Sequence, residues 1–409
     1  MLKGNITLKG DKSISHRILI FAALSEGECT INNLSTCKDV QRTVNILKQC
    51  NIMINNSGNG ETTIKGSKLS SNSKKFNCGN SGSTARFMLG LLPSHGISGT
   101  LYGDESLSLR PMERVINPLS KMNIKINHNN GMLPIEFKAS ESQAINHALE
   151  VPSAQVKTSM ILAALSCNKK SYITDSFVSR DHTERILQYL GHKDSAYYKF
   201  KIPTFNYTVP GDISNAAFII SAALLMPESN ITIKNTLYNK TRTGYIQTLK
   251  QMGGKIKVYN QRELYNEMVV DINVQYTPKL KGITITEKMI VSMIDEVPIL
   301  ALVASFATGE TIVEGAQELR YKESDRINAI VTNLKACKAN IKETKDGFII
   351  KGPNILYNTS INTFKDHRIA MTFEILSLIL GEGLNEDVEK TTISTSFPEF
   401  YKTIRGIHE

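Results

Sequence analysis

The sequence predicts an α/β protein with two domains, and three observations carry this prediction. The chain has 409 residues, which is more than one hydrophobic core usually serves. A helix–strand–helix–strand pattern recurs six times at a spacing of roughly sixty to eighty residues, longer than the period of solenoid repeats. Pro210-Gly211 interrupts the chain between the third and fourth repeats. Six repeats divided at this point predict two domains of three repeats each.

Each repeat opens with an apolar helical pattern, followed by a turn and a short β-rich run such as residues 230–233. The predicted first helices are Ile14–Leu24, Gly82–Leu92, Gln155–Leu165, Ile213–Leu225, Ile294–Phe306 and His367–Leu380. A second, amphipathic helix is predicted in the first five repeats. These second helices are expected to begin near Asp39, Pro111, Asp181, Thr243 and Glu323. The sixth repeat has no clear second helix.

Two stretches mark the expected domain boundaries. A strand over residues 4–9 precedes the first repeat and is expected to complete the other domain. The first domain is therefore predicted to contain residues 1–11 and 212–409, and the second domain residues 12–211. The chain crossings near 10–12 and 209–212 are expected to form a hinge.

Composition limits the classes of function. The chain is 41% hydrophobic and 21% charged, which is ordinary for a globular protein, and no apolar run is long enough to span a membrane. The N-terminus has no secretory segment, and the six cysteines have no metal-binding spacing, so we expect reduced thiols in the cytoplasm and no metal. The net charge of +10 favours anionic partners. Because the basic residues do not form runs, discrete anion pockets are favoured over a nucleic-acid groove.

Basic residues recur where the predicted helices begin. Free amides at a helix N-terminus, joined by Lys or Arg, can bind phosphate or carboxylate. In residues 319–327, Lys322 and Arg326 are expected on one face of a helix's first turn. Equivalent positions in other second helices hold Arg42, Arg114 and Arg185, with Arg110 and Arg180 slightly upstream. The alternative is that these arginines pair with neighbouring carboxylates such as Glu113, Glu184 and Asp325, and both outcomes are expected for different members.

Four first helices also begin with polar motifs. Residues 10–17 (Gly-Asp-Lys-Ser-Ile-Ser-His-Arg) place Ser13 as the expected N-cap, with Lys12 and Arg17 on either side. Residues 79–86, 153–157 and 366–371 repeat the theme, but none has the spacing of a Walker loop.

Ten motifs taken in order resemble the enolpyruvyl (carboxyvinyl) transferases, in particular the branch that acts on shikimate 3-phosphate. The motifs lie at residues 10–17, 79–86, 109–112, 153–157, 179–184, 210–214, 295–298, 320–327, 366–371 and 396–398. The resemblance implies a two-domain inside-out α/β barrel, with three βαβαββ units around a pseudo-threefold axis in each domain. It also implies a monomeric enzyme of the shikimate pathway, which leads to chorismate and aromatic amino acids. The reaction would move the carboxyvinyl group of phosphoenolpyruvate to the 5-hydroxyl of shikimate 3-phosphate, through a tetrahedral intermediate and without a cofactor.

The resemblance also assigns site residues. Those expected to bind shikimate 3-phosphate are Lys12, Ser13, Arg17, Ser153, Ala154, Gln155, Arg180, Asp295 and Lys322. Those expected to bind phosphoenolpyruvate are Lys12, Gly82, Arg110, Gln155, Arg326 and Arg368. Asp295 is the expected base near the attacking hydroxyl. Glu323 and Lys12 are the candidates for moving the proton to and from the methylene carbon, and their individual roles stay open.

Three positions relate the chain to variation within that family. Thr395 stands where some members have a Lys, and Ala154 where many have a second Ser. Gly82 is kept, whereas some members have Ala there, which narrows the pocket against glyphosate. The chain is therefore expected to be a glyphosate target, with glyphosate competing with phosphoenolpyruvate.

Two other functions are less well supported by the sequence. The related transferase that uses UDP-N-acetylglucosamine carries a reactive Cys on a mobile loop, and the corresponding residues 103–110 contain none. A basic protein that binds nucleic acid without catalysis is compatible with the composition, but the ordered motifs do not favour it.

Overall fold

The computed structural model describes residues 1–58 and 60–408, and only the backbone of residues 387–389. The chain folds into two compact units. Unit I contains Met1–Leu8, Pro210–Leu264 and Met268–Glu409, and unit II contains Lys9–Val209 and Tyr265–Glu267. The predicted hinge near residues 10–12 and 209–212 stays a prediction.

The elements alternate between helix and strand along most of the chain. The strands are β1 (Lys3–Thr7), β2 (Gly27–Asn32), β3 (Met53–Asn56), β4 (Glu61–Gly66), β5 (Lys75–Asn77), β6 (Gly99–Tyr102), β7 (Lys125–Asn129), β8 (Met132–Lys138), β9 (Asn146–Ala148), β10 (Tyr172–Thr174), β11 (Asn206–Thr208), β12 (Asn230–Leu237), β13 (Ile256–Leu264), β14 (Glu267–Gln275), β15 (Thr284–Ile285), β16 (Gly309–Val313), β17 (Ile341–Glu343) and β18 (Phe348–Gly352). The α-helices are α1 (Lys12–Leu24), α2 (Lys38–Gln49), α3 (Gly82–Ser94), α4 (Glu105–Ser108), α5 (Glu113–Lys121), α6 (Ala154–Ala164), α7 (His182–Tyr189), α8 (Ile213–Leu225), α9 (Gly244–Gln251), α10 (Glu287–Ile290), α11 (Val297–Phe306), α12 (Arg326–Ala336), α13 (His367–Ile379), α14 (Glu386–Ile393) and α15 (Phe400–Arg405).

The four-stranded sheets of the described chain share one topology. In the sheet β5-β6-β8-β7, for example, the edge strand β5 pairs parallel with β6. The remaining neighbours, β6 with β8 and β8 with β7, pair antiparallel. The strand orders are β11-β2-β4-β3 and β5-β6-β8-β7 in unit II, and β1-β12-β14-β13 and β15-β16-β18-β17 in unit I. With the intervening helices, this order is the βαβαββ pattern, and the predicted α/β class is confirmed.

The first repeat of each unit takes its edge strand from a distant part of the sequence. In unit I, β1 pairs parallel with β12, from Lys3 opposite Asn230 to Thr7 opposite Lys234. In unit II, β11 pairs parallel with β2. Parallel strands need a long connection, which the whole of the intervening chain supplies here.

The third and sixth repeats depart from the common topology. The third has the two-stranded sheet of β9 and β10. The sixth has no strand of its own among residues 353–408, where α14 and α15 follow α13 instead. The expectation that this repeat lacks a second helix is therefore wrong, because α14 supplies one.

Within each unit the first helices of the repeats form the interior. In unit I, α8, α11 and α13 pack on one another and are buried on nearly every side, as is typical of helices that are apolar all round. In unit II, α3 packs closely on α6 because Gly90 has no side chain: a Cβ there would lie 2.1 Å from the carbonyl oxygen of Ser159. The strands lie outside these helices, so β8 alternates between buried and exposed residues.

Two helices begin later than predicted. The helix expected from Glu323 begins at Arg326, because the carboxylate of Asp325 accepts a hydrogen bond from the backbone N–H of Asn328 and caps it. Lys322 therefore follows a short 3₁₀ helix (Gln317–Tyr321) and lies outside the first turn of α12. Residues 294–296 form another 3₁₀ turn, which contains Asp295, ahead of α11. No helix in the described part of the chain is long and apolar enough to cross a membrane.

Candidate active site

The predicted residues of unit II lie at the N-termini of its interior helices and in the segments that lead to the second helices. At the start of α1, Asp11 rather than Ser13 is the N-cap, because its carboxylate accepts from the backbone N–H of Ile14 at 2.9 Å. The predicted capping role of Ser13 is therefore wrong. Its hydroxyl instead accepts a 3.4 Å hydrogen bond from Nη1 of Arg180. This contact brings two of the predicted residues together.

The two cations of α1 have different surroundings. Lys12 is half-buried and forms an ion pair with Asp39, with Nζ and Oδ2 2.8 Å apart. Arg17 is buried, and its guanidinium donates to the hydroxyls of Thr183 (2.7 Å) and Thr158 (2.9 Å). Its Nη1 also donates to the carbonyl oxygen of Ser13 at 2.8 Å, so several hydrogen bonds orient the guanidinium.

The starts of α3 and α6 are linked by hydrogen bonds between side chains. Gln155 accepts from Nη1 of Arg86 and donates to the hydroxyl of Ser83, both at 2.9 Å. Gly82 opens α3 directly beside this group, and a Cβ built on it would lie 2.6 Å from Nη1 of Arg86 and 3.4 Å from Nη1 of Arg110. Any side chain at position 82 would therefore displace an arginine.

The remaining predicted residues of unit II lie at the start of α6 and in the segment before α5. Ser153 caps α6 by accepting from the backbone N–H of Val156 at 3.3 Å, and Ala154 is the first residue of that helix. Arg110 is buried, and its Nη2 donates to Oδ1 of Asn80 at 2.7 Å.

Unit I holds Arg326 among three carboxylates. Its Nε is 2.8 Å from Asp366, its Nη2 is 2.7 Å from Glu323, and its Nη1 is 3.4 Å from Asp295. Burial opposes the positive charge, but Asp366, Glu323 and Asp295 outweigh that effect, so the pKa of Arg326 is raised and it stays protonated. Asp295 and Glu323, the two carboxylates of this unit that are predicted to move protons, therefore lie beside the same cation.

Lys322 lies among charged neighbours of both signs. Burial lowers its pKa below the ordinary value of 10.5, and repulsion by Arg326 acts in the same direction, while Asp295 and Glu323 oppose the change. A lysine that loses its proton more easily than usual binds anions in a pH-dependent manner.

Arg368 differs from Arg326 although both arginines are buried in the same unit. Asp366 caps α13 by accepting from the backbone N–H of Arg368 at 2.8 Å. Arg368 as a whole is 3% exposed, and its guanidinium donates a 3.3 Å hydrogen bond from Nη1 to the carbonyl oxygen of Ser214. Among the described residues, its Nε has no acceptor and no carboxylate forms an ion pair with it. A buried, uncompensated guanidinium is costly, and an anionic ligand would remove that cost.

Sequence reasoning missed several residues that contact the predicted ones. Asp39 pairs with Lys12, Asn80 holds Arg110, Arg86 binds Gln155, and Arg242 donates to Ser214. Arg242 had a detectable signal, since it precedes the fourth second helix just as Arg110 and Arg180 precede theirs. Asn80 and Arg86 lie within the motif at residues 79–86, and Asp39 lies at the start of the first of the second helices, but the sequence assigned none of the three a role.

Buried cations at the N-termini of interior helices define a class: an α/β protein that binds small molecules carrying phosphate and carboxylate groups. In the described part of the chain, no group of His, Cys, Asp or Glu side chains is arranged to hold a metal ion.

Comparison with known proteins identifies the family. A sequence model described as EPSP synthase (3-phosphoshikimate 1-carboxyvinyltransferase) matches residues 1–404. A 3-phosphoshikimate 1-carboxyvinyltransferase of Thermoanaerobacter sp. (strain X514) is 40% identical over 411 residues, covering 98% of this chain and 97% of the relative. The chain belongs to the EPSP synthase family, and the resemblance seen in the sequence is confirmed.

Solved structures agree with this result. EPSP synthase from Acinetobacter baumannii has a TM-score of 0.85 at 33% identity, covering 99% of this chain and 96% of that one. The enolpyruvyl transferase NikO from Streptomyces tendae shares the fold alone, with a TM-score of 0.76 at 13% identity over 99% of this chain and 95% of its own. Neither the UDP-N-acetylglucosamine reaction nor nucleic-acid binding is favoured by these matches.

Proposed function

We propose that the chain is a 3-phosphoshikimate 1-carboxyvinyltransferase, which transfers the carboxyvinyl group of phosphoenolpyruvate to the 5-hydroxyl of shikimate 3-phosphate and releases phosphate. Membership of the EPSP synthase family supports the reaction. The observation in the structure that best supports an anionic substrate is Arg368, a buried guanidinium with no carboxylate partner among the described residues.

Shikimate 3-phosphate is proposed to bind through cations and hydroxyls that the fold already orients. Lys12, Arg17, Arg180 and Lys322 supply positive charge, and Ser13 lies within hydrogen-bonding distance of Arg180. Ser153, Ala154 and Gln155 at the start of α6 complete the proposed set, together with Asp295 for the attacking hydroxyl. Charge-assisted hydrogen bonds are the strong ones, which suits a substrate with both a phosphate and a carboxylate.

Phosphoenolpyruvate is proposed to bind through Arg110, Arg326 and Arg368, joined by Lys12 and Gln155. A planar guanidinium can donate two parallel hydrogen bonds to a carboxylate or a phosphate, which a lysine cannot do. Gly82 is proposed to allow close approach, because a side chain there would meet Arg86.

The chemistry requires two proton movements. In the addition step the methylene carbon gains a proton, the 5-hydroxyl oxygen bonds to C2, and Asp295 accepts the hydroxyl proton. In the elimination step the C2–O bond to the phosphate breaks, and the methyl group loses a proton to form the enol ether. Glu323 and Lys12 are the proposed residues for giving and taking the proton at that carbon, in either order. Arg326 positions both carboxylates, since its guanidinium lies 2.7 Å from Glu323 and 3.4 Å from Asp295.

The decisive experiment measures phosphate release from phosphoenolpyruvate with and without shikimate 3-phosphate. Release should require both substrates, and Asp295→Asn should abolish it without loss of folding. Arg405→Gln is a matched control, because Arg405 is an exposed arginine of unit I whose partner is Glu386. Equal release without shikimate 3-phosphate, or with UDP-N-acetylglucosamine in its place, would refute the assignment.

Three further properties are proposed with the function. Glyphosate should inhibit competitively with phosphoenolpyruvate, and the absence of inhibition at saturating glyphosate would contradict this. The enzyme is proposed to be a cytoplasmic monomer, which sedimentation at working concentration and fractionation of cells would test.

A further inference from the structure

Two buried arginines of unit I meet at a single serine that carries no assigned role. Nη2 of Arg242 donates to the hydroxyl of Ser214 at 2.7 Å, and Nη1 of Arg368 donates to the carbonyl oxygen of Ser214 at 3.3 Å. Both arginines are 3% exposed. Ser214 therefore joins a residue proposed to bind phosphoenolpyruvate to one that has no proposed contact with substrate.

Every polar group of Ser214 is engaged, so its position is tightly constrained. Its backbone N–H donates to Oδ1 of Asp212 at 2.8 Å, and this carboxylate is the N-cap of α8. Nη2 of Arg242 lies 4.0 Å from the same Oδ1. The cap, the serine and Arg242 thus form one connected group at the start of α8.

Arg242 is itself held in place. It ends a 3₁₀ helix (Lys240–Arg242), whose N-cap Asn239 accepts from the backbone N–H of Thr241 at 2.9 Å and from its hydroxyl at 2.7 Å. The backbone of Arg242 is held by this turn, and its side chain is buried, so the guanidinium has little freedom to reorient. Arg242 can therefore transmit a fixed position to Ser214.

Few contacts orient the guanidinium of Arg368, and one of them is with Ser214. Arg242 matters because it holds Ser214. The carbonyl of Ser214 accepts from the guanidinium of Arg368, whose aromatic neighbour Phe218 has its ring centroid 5.8 Å away. A displacement of Ser214 would therefore move or loosen Arg368. The backbone carbonyl of Ser396 accepts from the side-chain amide of Asn215, the residue after Ser214.

We propose that Arg242 is a positioning residue for phosphoenolpyruvate binding, and that it acts through Ser214 on Arg368. The inference rests on the proposed role of Arg368. It predicts a selective effect: loss of the Arg242–Ser214 hydrogen bond weakens phosphoenolpyruvate binding and leaves shikimate 3-phosphate binding unchanged.

The test is a double-mutant cycle with Arg242→Gln and Ser214→Ala. Each single variant should raise the KM for phosphoenolpyruvate about tenfold. The kcat and the KM for shikimate 3-phosphate should stay within about twofold, because no group proposed to act in the chemistry is changed. The double variant should be no worse than the poorer single variant, since both substitutions remove the same hydrogen bond. Ser214→Ala keeps the backbone N–H that donates to the cap Asp212, so it serves if Arg242→Gln does not fold.

The controls separate this inference from the proposed function. Arg405→Gln should leave both KM values unchanged. If Arg368→Gln raises the KM for phosphoenolpyruvate while the Arg242 and Ser214 variants do not, the inference is wrong and the role of Arg368 stands. If Arg368→Gln has no effect on that KM, both are wrong. Equal changes in the two KM values, or strictly additive effects in the cycle, would also overturn the positioning role.

Discussion

Asp366→Asn tests how the structure supports its buried arginines. Asp366 is fully buried, caps α13, and accepts from Nε of Arg326 at 2.8 Å and from the hydroxyl of Ser324 at 3.1 Å. Asparagine keeps an oxygen for the cap, and Asn and Asp are about equally good N-cap residues. The substitution therefore removes the negative charge beside Arg326 while the helix start is preserved.

The expected loss of stability follows from the remaining partners of Arg326. Removing one member of a buried ion pair costs about 3–5 kcal/mol. Glu323 at 2.7 Å and Asp295 at 3.4 Å still neutralise the guanidinium, so we expect the lower end of that range. For a unit of roughly two hundred residues, about 3 kcal/mol corresponds to a fall of about 6–12 °C in Tm. The KM for phosphoenolpyruvate should rise as well, because Arg326 loses the contact that orients its Nε.

Calorimetry on the wild type and two variants measures the effect. Asp325→Asn is the matched control: Asp325 also caps a helix and also pairs with an arginine, but its side chain is 38% exposed. A pair this exposed contributes about 0–1 kcal/mol, so the control should lose less than about 4 °C. Equal Tm losses in the two variants would refute the idea that burial determines how much a carboxylate charge contributes to stability. An unchanged Tm in Asp366→Asn would refute the proposed dependence of Arg326 on Asp366.

Three other predictions concern binding and chemical reactivity. Burial lowers the pKa of Lys322 below 10.5, so this ammonium group loses its proton at a lower pH than a free lysine. As the pH increases, the KM for shikimate 3-phosphate should therefore begin to rise below pH 10.5. In a pH profile of the Lys322→Arg variant this rise should be smaller. Gly82→Ala should weaken glyphosate inhibition and raise the KM for phosphoenolpyruvate, because the new Cβ would lie 2.6 Å from Nη1 of Arg86; unchanged inhibition constants would contradict this. All six cysteines are buried, and burial raises the pKa of Cys78 to about 12. A disulfide reagent should therefore react slowly with the native protein, whereas after denaturation it should react with all six thiols. Rapid native labelling would count against the described packing.

The interior helices were predictable because their sequences are unambiguous. Long apolar runs bounded by Gly or Asp predicted helices starting at Gly82, Ile213 and His367, and the helices begin at those residues. The start of α12 was not predictable in the same way. Residues 319–327 contain both Glu323 and Asp325, and either can stand near a helix N-terminus. In the structure a 3₁₀ helix precedes this stretch, and Asp325 is the cap.

Local pattern also failed where two residues compete for one role. Asp11 and Ser13 are both good N-cap residues, and Asp11 is the one that caps the helix. The residue before this cap packs against a part of the chain distant in sequence, since a Cβ at Gly10 would lie 2.1 Å from the carbonyl oxygen of Asn33. No window of a few residues contains that information.

The sequence alone was sufficient for the repeat pattern, the starts of α3, α8 and α13, and the family to which the ordered motifs belong. It could not distinguish the surroundings of the cations near the helix starts. Arg326 and Arg368 both stand in the first turn of a helix, yet one has three carboxylates nearby and the other has no ion-pair partner among the described residues. Charge neutralisation depends on distances between side chains far apart in the chain, such as Arg326 and Asp366. Only the tertiary structure sets those distances, and it thereby decided which arginine remains uncompensated.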